Sequence, residues 1–497
     1  MTDGQKQVIA IVDGKPTLVE VGSPIFAVAK TVSPCGGKGK CGKCKVYASG
    51  NLSPITKSEH TYLTKTEISA GIRLACKTQI LGECEIRTIK NESVKVVLDG
   101  QAEPFNLAPT FNSYGVAIDI GTTTIAIRLY DKSGKLLASE GMENPQNVFG
   151  ADVISRVEHA LKGEDKTLRK IVARAIDEIV IKASDSANVD SSLIDGAVIT
   201  GNTVMLSLLT GESVEPFSHA PFVAKNLFGC EVKAEDLGLT CLQKNTPVYL
   251  PHCISAFVGA DMVCSMLAVN FDEKVDTVIA DIGTNGEIAM ISNGEILACS
   301  TSAGPAFEGV GITCGMQGVS GAIDKVSLVN GALFPHVLGE GKAKGICGSG
   351  IIDAVACLLD LEELDESGYL ENDVAVLDKV VISQSDVRSV QLAKSAICAG
   401  IKTLLEMSGV KIPKEFYIAG GFGNFLNVKN AERIGLIPQG FAYISKVVGN
   451  ASLVGASRLL LDVKSRERSD KISKNAKTLD LAKNKVFIDQ YMMSMIF

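Results

Sequence analysis

Tryptophan is absent from the 497 residues, and aromatic residues make up only 5% of them. Charge is sparse as well, at 21%, and its balance is not basic: the net charge is −7. Nucleic acids and anionic membranes are bound largely through Lys and Arg, so neither is expected as the main partner. No apolar run approaches the ~18 residues that would suggest a membrane span, and the closing YMMSMIF is too short for one. The opening MTDGQKQ lacks the basic-then-apolar pattern of a secretory signal, so a cytoplasmic location is expected. What is present is 46% hydrophobic residues and 48 glycines, a composition that suits a compact α/β protein rich in tight turns.

At this length one core does not suffice, and two to four domains are expected. Residues 1–90 begin with alternating strands, QVIAIVDG and TLVEVGS, followed by a short helical stretch, IFAVAKT, and a cysteine loop, which suits a small β-grasp domain. Residues 91–113 hold Pro104, Pro109 and several Asn without a clear period, and read as a linker. From Tyr114 to residue 497 the pattern changes. VAIDIGTTTIAIRLYDKSGKLLAS from Val116 is echoed by VIADIGTNGEIAMISNGEILACS from Val278, each a strand, a glycine turn and a strand. Two such units alternating with helical segments imply a duplicated α/β fold, with one lobe from about 114, a second from about 276, and the active cleft between them. The charged stretch 464–485 reads as a helix whose mixed-sign face meets solvent.

The 14 cysteines, in a chain expected in the cytosol, point to metal ligands or buried apolar positions rather than disulfides. PCGGKGKCGKCKV sets Cys35, Cys41 and Cys44 at C-x5-C-x2-C, and Cys76 follows in RLACKTQ. Four thiolates can hold one [2Fe-2S] cluster, and the glycines of the loop let backbone N–H groups approach the sulfurs. A four-cysteine zinc site is the alternative, although such sites usually pair two C-x2-C knuckles rather than three ligands with one. Cys84, in the alternating GECEI, is expected to be a buried strand residue.

In AIDIGTTT and IADIGTNGE an Asp ends a strand and a glycine follows two residues later. Gly121, Thr122 and Thr123 in the first turn, and Gly283, Thr284, Asn285 and Gly286 in the second, are candidates to cradle phosphates. Asp119 and Asp281 would then face each other and hold a hydrated Mg²⁺. FYIAGGFGNFL supplies Gly420, Gly421, Gly423 and Asn424 for an adenine or ribose, and GICGSG supplies Gly348, Ser349 and Gly350 as a further backbone cradle. Glu287 and Asp261 are candidates to orient water, with a surface or N-cap role as the alternative. Glu308 is set either to line the cleft or to meet a partner, with ordinary loop structure as the alternative, and His252 is expected as a cleft-wall residue rather than a base. The small residues of CISAFVGADM and GNASLVGASRLL permit close helix approach at a hinge.

These phosphate, adenosine and connecting-helix motifs resemble the ATPase superfamily of actin, heat-shock chaperones, and acetate and sugar kinases. With the cysteine loop added, the chain resembles the ATP-dependent reductive activators of corrinoid proteins, which carry an N-terminal [2Fe-2S] ferredoxin domain. The likeness runs through CGGKGKCGKC, RLAC, AIDIGTTT, FGADVISR, ITGNTVML, AGPAFEG, GICGSGIIDA, AGGFGNF, ERIGLIP and GNASLVGA. It implies ATP and Mg²⁺ as cofactors beside the cluster, a corrinoid protein of a methyltransferase system as partner, and an upstream low-potential electron donor. It also raises a homodimer, but larger relatives carry an extra small domain where this chain has only the linker. The competing functions are a small-molecule kinase with a redox-sensing ferredoxin domain, an activator of a radical dehydratase, and a chaperone-like ATPase.

Overall fold

The computed structural model describes residues 7–29, 31–89, 98, 100, 106–283, 285–421 and 425–497. Thr284, Gly423, Asn424 and much of the expected 91–113 linker lie outside the described residues. The chain divides into two compact units, Met1–Glu92 with Pro145–His159, and Ser93–Asn144 with Ala160–Phe497.

In the first unit, alternating apolar residues make the strands β1 (Gln7–Val12), β2 (Lys15–Glu20), β3 (Lys45–Leu52), β4 (Ile72–Leu74) and β5 (Ile80–Thr88), in the order β2-β1-β5-β3-β4. β5 shows the period of two plainly: Ile80, Gly82, Cys84 and Ile86 point into the core while their neighbours are exposed. The stretch expected to be helical after β2 makes only one 3-10 turn, Ile25–Ala27. Its N–H groups are taken elsewhere, Ile25 N donating to Thr78 O and Phe26 N to Ala75 O, each at 2.9 Å. Two short helices, α1 (Lys57–Tyr62) and α2 (Lys65–Ser69), each open on a capping box, Thr56 with Glu59 and Thr64 with Glu67. The excursion Pro145–His159, with helix α3 (Val153–His159), completes this unit.

In the second unit, β6 (Tyr114–Ile120), β7 (Thr124–Asp131), β8 (Leu136–Glu143), β9 (Ile194–Gly201), β10 (Cys230–Lys233) and β11 (Pro247–Leu250) form a sheet ordered β10-β11-β9-β6-β7-β8. The helices of this lobe are α4 (Asp165–Ala187), α5 (Thr203–Thr210) and α6 (Ala260–Val269). The second lobe carries β12 (Thr277–Ile282), β13 (Gly286–Ser292) and β14 (Glu295–Thr301). It continues through the smaller sheets of β15 (Ala322–Val329), β16 (Ala332–Val337) and β17 (Gly345–Ile346), and of β18 (Val374–Leu377) with β19 (Val380–Ile382). β20 (Glu415–Ala419), β21 (Ser445–Gly449) and β22 (Ala476–Thr478) complete its main sheet, ordered β21-β20-β12-β13-β14-β22.

The duplication is visible in the register. β6 runs parallel to β9 and antiparallel to β7, and β12 runs parallel to β20 and antiparallel to β13. Asp119 and Asp281 occupy equivalent strand ends, opposite Ala126 and Glu287 across their hairpins. The remaining helices are α7 (Gly348–Asp360), α8 (Gln384–Ser408), α9 (Val428–Arg433), α10 (Ala451–Leu461), α11 (Lys464–Asn475) and α12 (Lys485–Met493). α6 and α10 share the apolar core that joins residues of both main sheets. Gly455 makes their approach possible, since a Cβ there would lie 1.9 Å from the Cys264 carbonyl oxygen.

The expected charged helix forms with a mixed-sign exposed face of Lys464, Glu467, Lys471 and Lys474, but it ends at Asn475, before β22. α11 buries Ser465, Ser469 and Ile472, and Arg466 stacks 4.2 Å from the centroid of the Tyr249 ring. The Arg468 guanidinium likewise lies over the Phe271 ring, 5.1 Å from its centroid. No helix among the described residues is long and apolar enough to cross a membrane.

Candidate functional site

Each compact unit carries one candidate site. In the first, the antiparallel register Lys45↔Leu74 brings the residue before β3 to the end of β4, and Ala75 N donates to Cys44 O at 2.8 Å. Cys44 and Cys76 therefore meet, with their sulfurs 3.2 Å apart. Cys35 and Cys41 form a second pair within the loop, at 3.3 Å. Both separations far exceed the ~2.04 Å of a disulfide. Gly36, Gly37, Gly39 and Gly42 all take positive φ, between 56° and 77°, which winds the loop tightly enough for this. The Cys41 thiol, opposed by burial and helped by the N–H groups of Lys40, Gly39 and Cys41, holds the Cys35 thiol down to about 4. Cys44 is lowered in the same way, first by Cys76, whereas Cys41 and Cys76 are pushed up by their partners and by burial. Each pair thus favours one thiolate hydrogen-bonded by one thiol. Among the described residues, no three or more His, Cys, Asp or Glu side chains gather around a single ion. Cys84 sits on β5, buried, apart from both pairs.

The segment Pro145–His159 of this same unit forms one wall of the loop. Ala151 N donates to Pro34 O at 3.0 Å, Lys38 pairs with Glu158 at 3.0 Å, and a Cβ on Gly36 would lie 3.1 Å from Phe149 O. The motif FGADVISR is thereby part of the cysteine unit, although its chain position lies inside the stretch expected to be ATPase.

In the second unit a cavity of about 320 Å³ lies between the two lobes. Gly121, Thr122 and Thr123 enter from the β6–β7 turn, Gly283 and Asn285 from the β12–β13 turn, Gly348 and Ser349 from the start of α7, and Gly420 and Gly421 from the end of β20. Gly420 is held at φ +96°, and a Cβ there would lie 2.6 Å from an Asp281 carboxylate oxygen. Two expected cradle residues are not in the lining. Gly286 packs toward Thr301 and Ile397, and Gly350 lies against the Ile323 carbonyl, so both serve packing instead.

Six carboxylates line this one cavity: Glu308, Asp324 and a group of four, Asp119, Asp261, Asp281 and Glu287, whose carboxyls feel one another's charge. Protein surrounds them while their tips open onto the cleft, and burial is the main reason that all four carboxyls are raised. Asp119 rises to about 6, restrained by hydrogen bonds from Asn450 Nδ2 (3.1 Å) and Ser452 Oγ (2.9 Å). Asp281 reaches about 7 through burial and the charges of Asp261 and Asp119. Asp261 also reaches about 7, through burial and the Asp119 charge. Glu287 is pushed furthest up, by burial and then by Asp261 and Asp281. Burial and the Asp261 charge therefore favour the neutral form of Glu287. Neither Glu287 nor Asp261 is a surface carboxylate. Asp261 Oδ1 accepts from Met262 N at the start of α6, and Glu287 Oε2 accepts from Gly259 N at 3.3 Å.

Glu308 lines the cavity, with Oε1 3.2 Å from Thr123 Oγ1. His252 does not; it pairs with Asp470 of α11 at 3.1 Å. Sequence reasoning passed over Asn202 and Asn450. Each caps a helix with its side-chain oxygen, accepting from Met205 N and Leu453 N respectively, and donates its amide into the site, to Thr122 Oγ1 (3.2 Å) and Asp119. A Gly-Asn pair between an apolar strand and a helix, as in TGNT and VGNA, is the signal that could have found them.

Residues 114–274 match the family region described as the RACo middle region, and residues 276–497 match the C-terminal domain of RACo, its ASKHA domain. The corrinoid activation enzyme RamQ of Eubacterium limosum is 35% identical over 419 residues, covering 77% of this chain and 70% of that protein. The chain belongs to the RACo family. A second relative of this RACo-family chain is the [Co(II) methylated amine-specific corrinoid protein] reductase of Methanosarcina barkeri, 26% identical, with 74% of this chain and 73% of that protein covered. Among solved structures, a reductive activator for corrinoid, iron–sulfur protein superposes with a TM-score of 0.72 at 26% identity, over 99% of this chain and 98% of that one. The mixed α/β architecture, with its ASKHA domain, is that of the RACo family.

Proposed function

We propose that this chain is an ATP-dependent reductive activator that delivers one electron to the Co(II) of an inactive corrinoid protein and so regenerates Co(I) for methyl transfer. The observation that carries the proposal is the presence, in one chain, of a paired four-cysteine loop and a cleft with two duplicated phosphate turns. The names of its relatives support the same activity. In a small-molecule kinase the cysteine loop would only sense redox state and would deliver no electron.

Cys35 with Cys41, and Cys44 with Cys76, fit a [2Fe-2S] cluster, because each iron of such a cluster takes two protein thiolates and these thiols come in twos. When bound, the cluster supplies one-electron chemistry near about −400 mV. The N–H groups of Gly39, Lys40 and Cys41, which reach the Cys35 sulfur, would offset the cluster's negative charge, and an upstream low-potential donor would recharge it.

Asp119, Asp261, Asp281 and Glu287 repel one another in the cavity, and a hydrated Mg²⁺ between Asp119 and Asp281 would offset that repulsion. Gly121–Thr123 and Gly283 with Asn285 would cradle the phosphates, and Gly420 and Gly421 would lie against the nucleoside. Glu287 and Asp261, both in the cavity lining, would orient water and accept its proton during hydrolysis. Each 100 mV of uphill transfer costs about 2.3 kcal/mol per electron. Lobe closure about α6 and α10 on MgATP is the means by which the chain would favour a complex with a more easily reduced cobalt.

The test is ATP turnover by the cluster-loaded chain. Turnover should rise when a Co(II) corrinoid protein is added and should be lost in Asp281→Asn. Phosphate appearing on a small acceptor instead, with no response to the corrinoid protein, would establish the kinase alternative.

A further inference from the structure

A second cavity, of about 450 Å³, lies in the second lobe and has no place in the activity proposed above. One wall is a stripe of α8, where Lys394, Cys398 and Lys402 recur every four residues and so share one face. α9 and the turn after it add Lys429, Arg433 and Glu432, and the chain after α12 closes the remaining side. Four cations thus line the space against one carboxylate side chain.

That carboxylate is already engaged, since Glu432 Oε1 accepts from Ala442 N at 2.9 Å. Arg433 is partly engaged, with Nε 2.7 Å from Asp360 Oδ1. Among the described residues, no salt bridge joins Lys394, Lys402 or Lys429 to a carboxylate side chain. Lys394 is fully buried, yet its ammonium meets only the Ile496 carbonyl and, at 4.8 Å, the face of the Phe497 ring. Lys402 Nζ has only Ser494 Oγ, at 3.4 Å. Burial brings Lys394 down to about 8, with Lys402 adding to the effect and Cys398 opposing it. A buried ammonium without a counter-charge is costly, and an anion in the cavity removes that cost.

We propose that this cavity is a binding site for a small phosphate-bearing anion, held by Lys394 on its inner wall and by Lys402 and Lys429 at its rim. Three ammonium groups approaching from two helices suit the several oxygens of a phosphate group, to which lysine binds as a point charge. A different face of α8 packs on β13 through Ile397 and Gly400, next to Gly286 and Ile288. The anion would therefore sit one helix away from the strand that carries Glu287.

The test uses the full chain saturated with ADP, so that the nucleotide cleft is filled, and titrates inorganic phosphate by calorimetry and ³¹P line broadening. One phosphate should bind per chain, and its affinity should fall at least ~10-fold in Lys402→Gln and Lys429→Gln, since removing one charge contact costs over ~1.4 kcal/mol. ADP affinity and melting temperature should stay unchanged in both variants, since Lys429 is exposed and Lys402 is half-buried with one weak hydrogen bond. Lys394→Met serves only as a confirming variant, because it alters the core. Absence of binding to the ADP-saturated chain overturns the proposal, as does binding that both Gln variants leave intact. Citrate binding where phosphate does not overturns the assigned ligand class.

Discussion

Glu287 is the residue at which charge repulsion and function are most sharply opposed. Burial and the neighbouring Asp261 and Asp281 push its carboxyl well above the ordinary range, so the neutral form is the comfortable one. Glu287→Gln imitates that form and keeps a donor for Asp261. The nucleotide-free variant should melt about 1 °C higher per kcal/mol of repulsion relieved, while ATP turnover falls about 100-fold; scanning calorimetry and a phosphate-release assay check both. Glu59 shows the opposite balance. Burial alone would raise it, but Arg73 Nε at 2.7 Å and the N–H groups of Thr56 and Leu74 prevail and hold it at about 2. Its folded pKa lies below the ~4.3 of an unfolded glutamate, so its stabilisation is complete above that value and is lost as pH falls toward 2. Acid unfolding of the cysteine unit, followed by circular dichroism between pH 5 and 2, should therefore be less steep in Glu59→Gln, which starts from a lower stability at pH 7. The strand-end aspartates and the cysteines were legible because a repeated motif or a tight spacing marks them. Glu59 was not, since nothing local in KSEHTY tells a buried Arg partner from a surface helix carboxylate.

At the scale of elements, two helix N-termini carry a double duty. Asn202 caps α5 and steadies Thr122 with the same side chain. Asn202→Asp keeps the cap but loses the amide donor, whereas Asn202→Ala loses both and should cost about 1 kcal/mol of stability. Nucleotide affinity, measured with a fluorescent ATP analogue, should drop in both variants and melting temperature chiefly in the second. The hinge helices make a further expectation. Gly455→Ala places a methyl group 1.9 Å from the α6 backbone and should destabilise by about 1–3 kcal/mol in urea melts, with ATP turnover reduced. Period and glycine content made the two lobes, β5 and the α6 and α10 pairing readable in advance. They did not reveal that Pro145–His159 leaves the ATPase fold for the cysteine loop, because that depends on long-range contacts such as Ala151 to Pro34. Nor did charge pattern reveal that α11 is packed, since Arg466 and Arg468 look solvated in sequence yet lie over Tyr249 and Phe271.

For the whole molecule, the account joins two chemistries that the chain keeps in separate compact units: a cysteine loop fit to carry one electron, and a carboxylate-lined cleft fit to use ATP. Family membership ties them to corrinoid activation, as the names of the relatives do. The measurement that bears most directly on this is anaerobic. The cluster-loaded chain is mixed with a Co(II) corrinoid protein and a low-potential reductant, and the visible spectrum is followed with and without MgATP. Co(I) should appear only with MgATP, and should be lost in both Cys41→Ala and Asp281→Ala. Co(I) forming equally without nucleotide, or failing to form while the cluster is reduced and ATP is hydrolysed, would contradict the account.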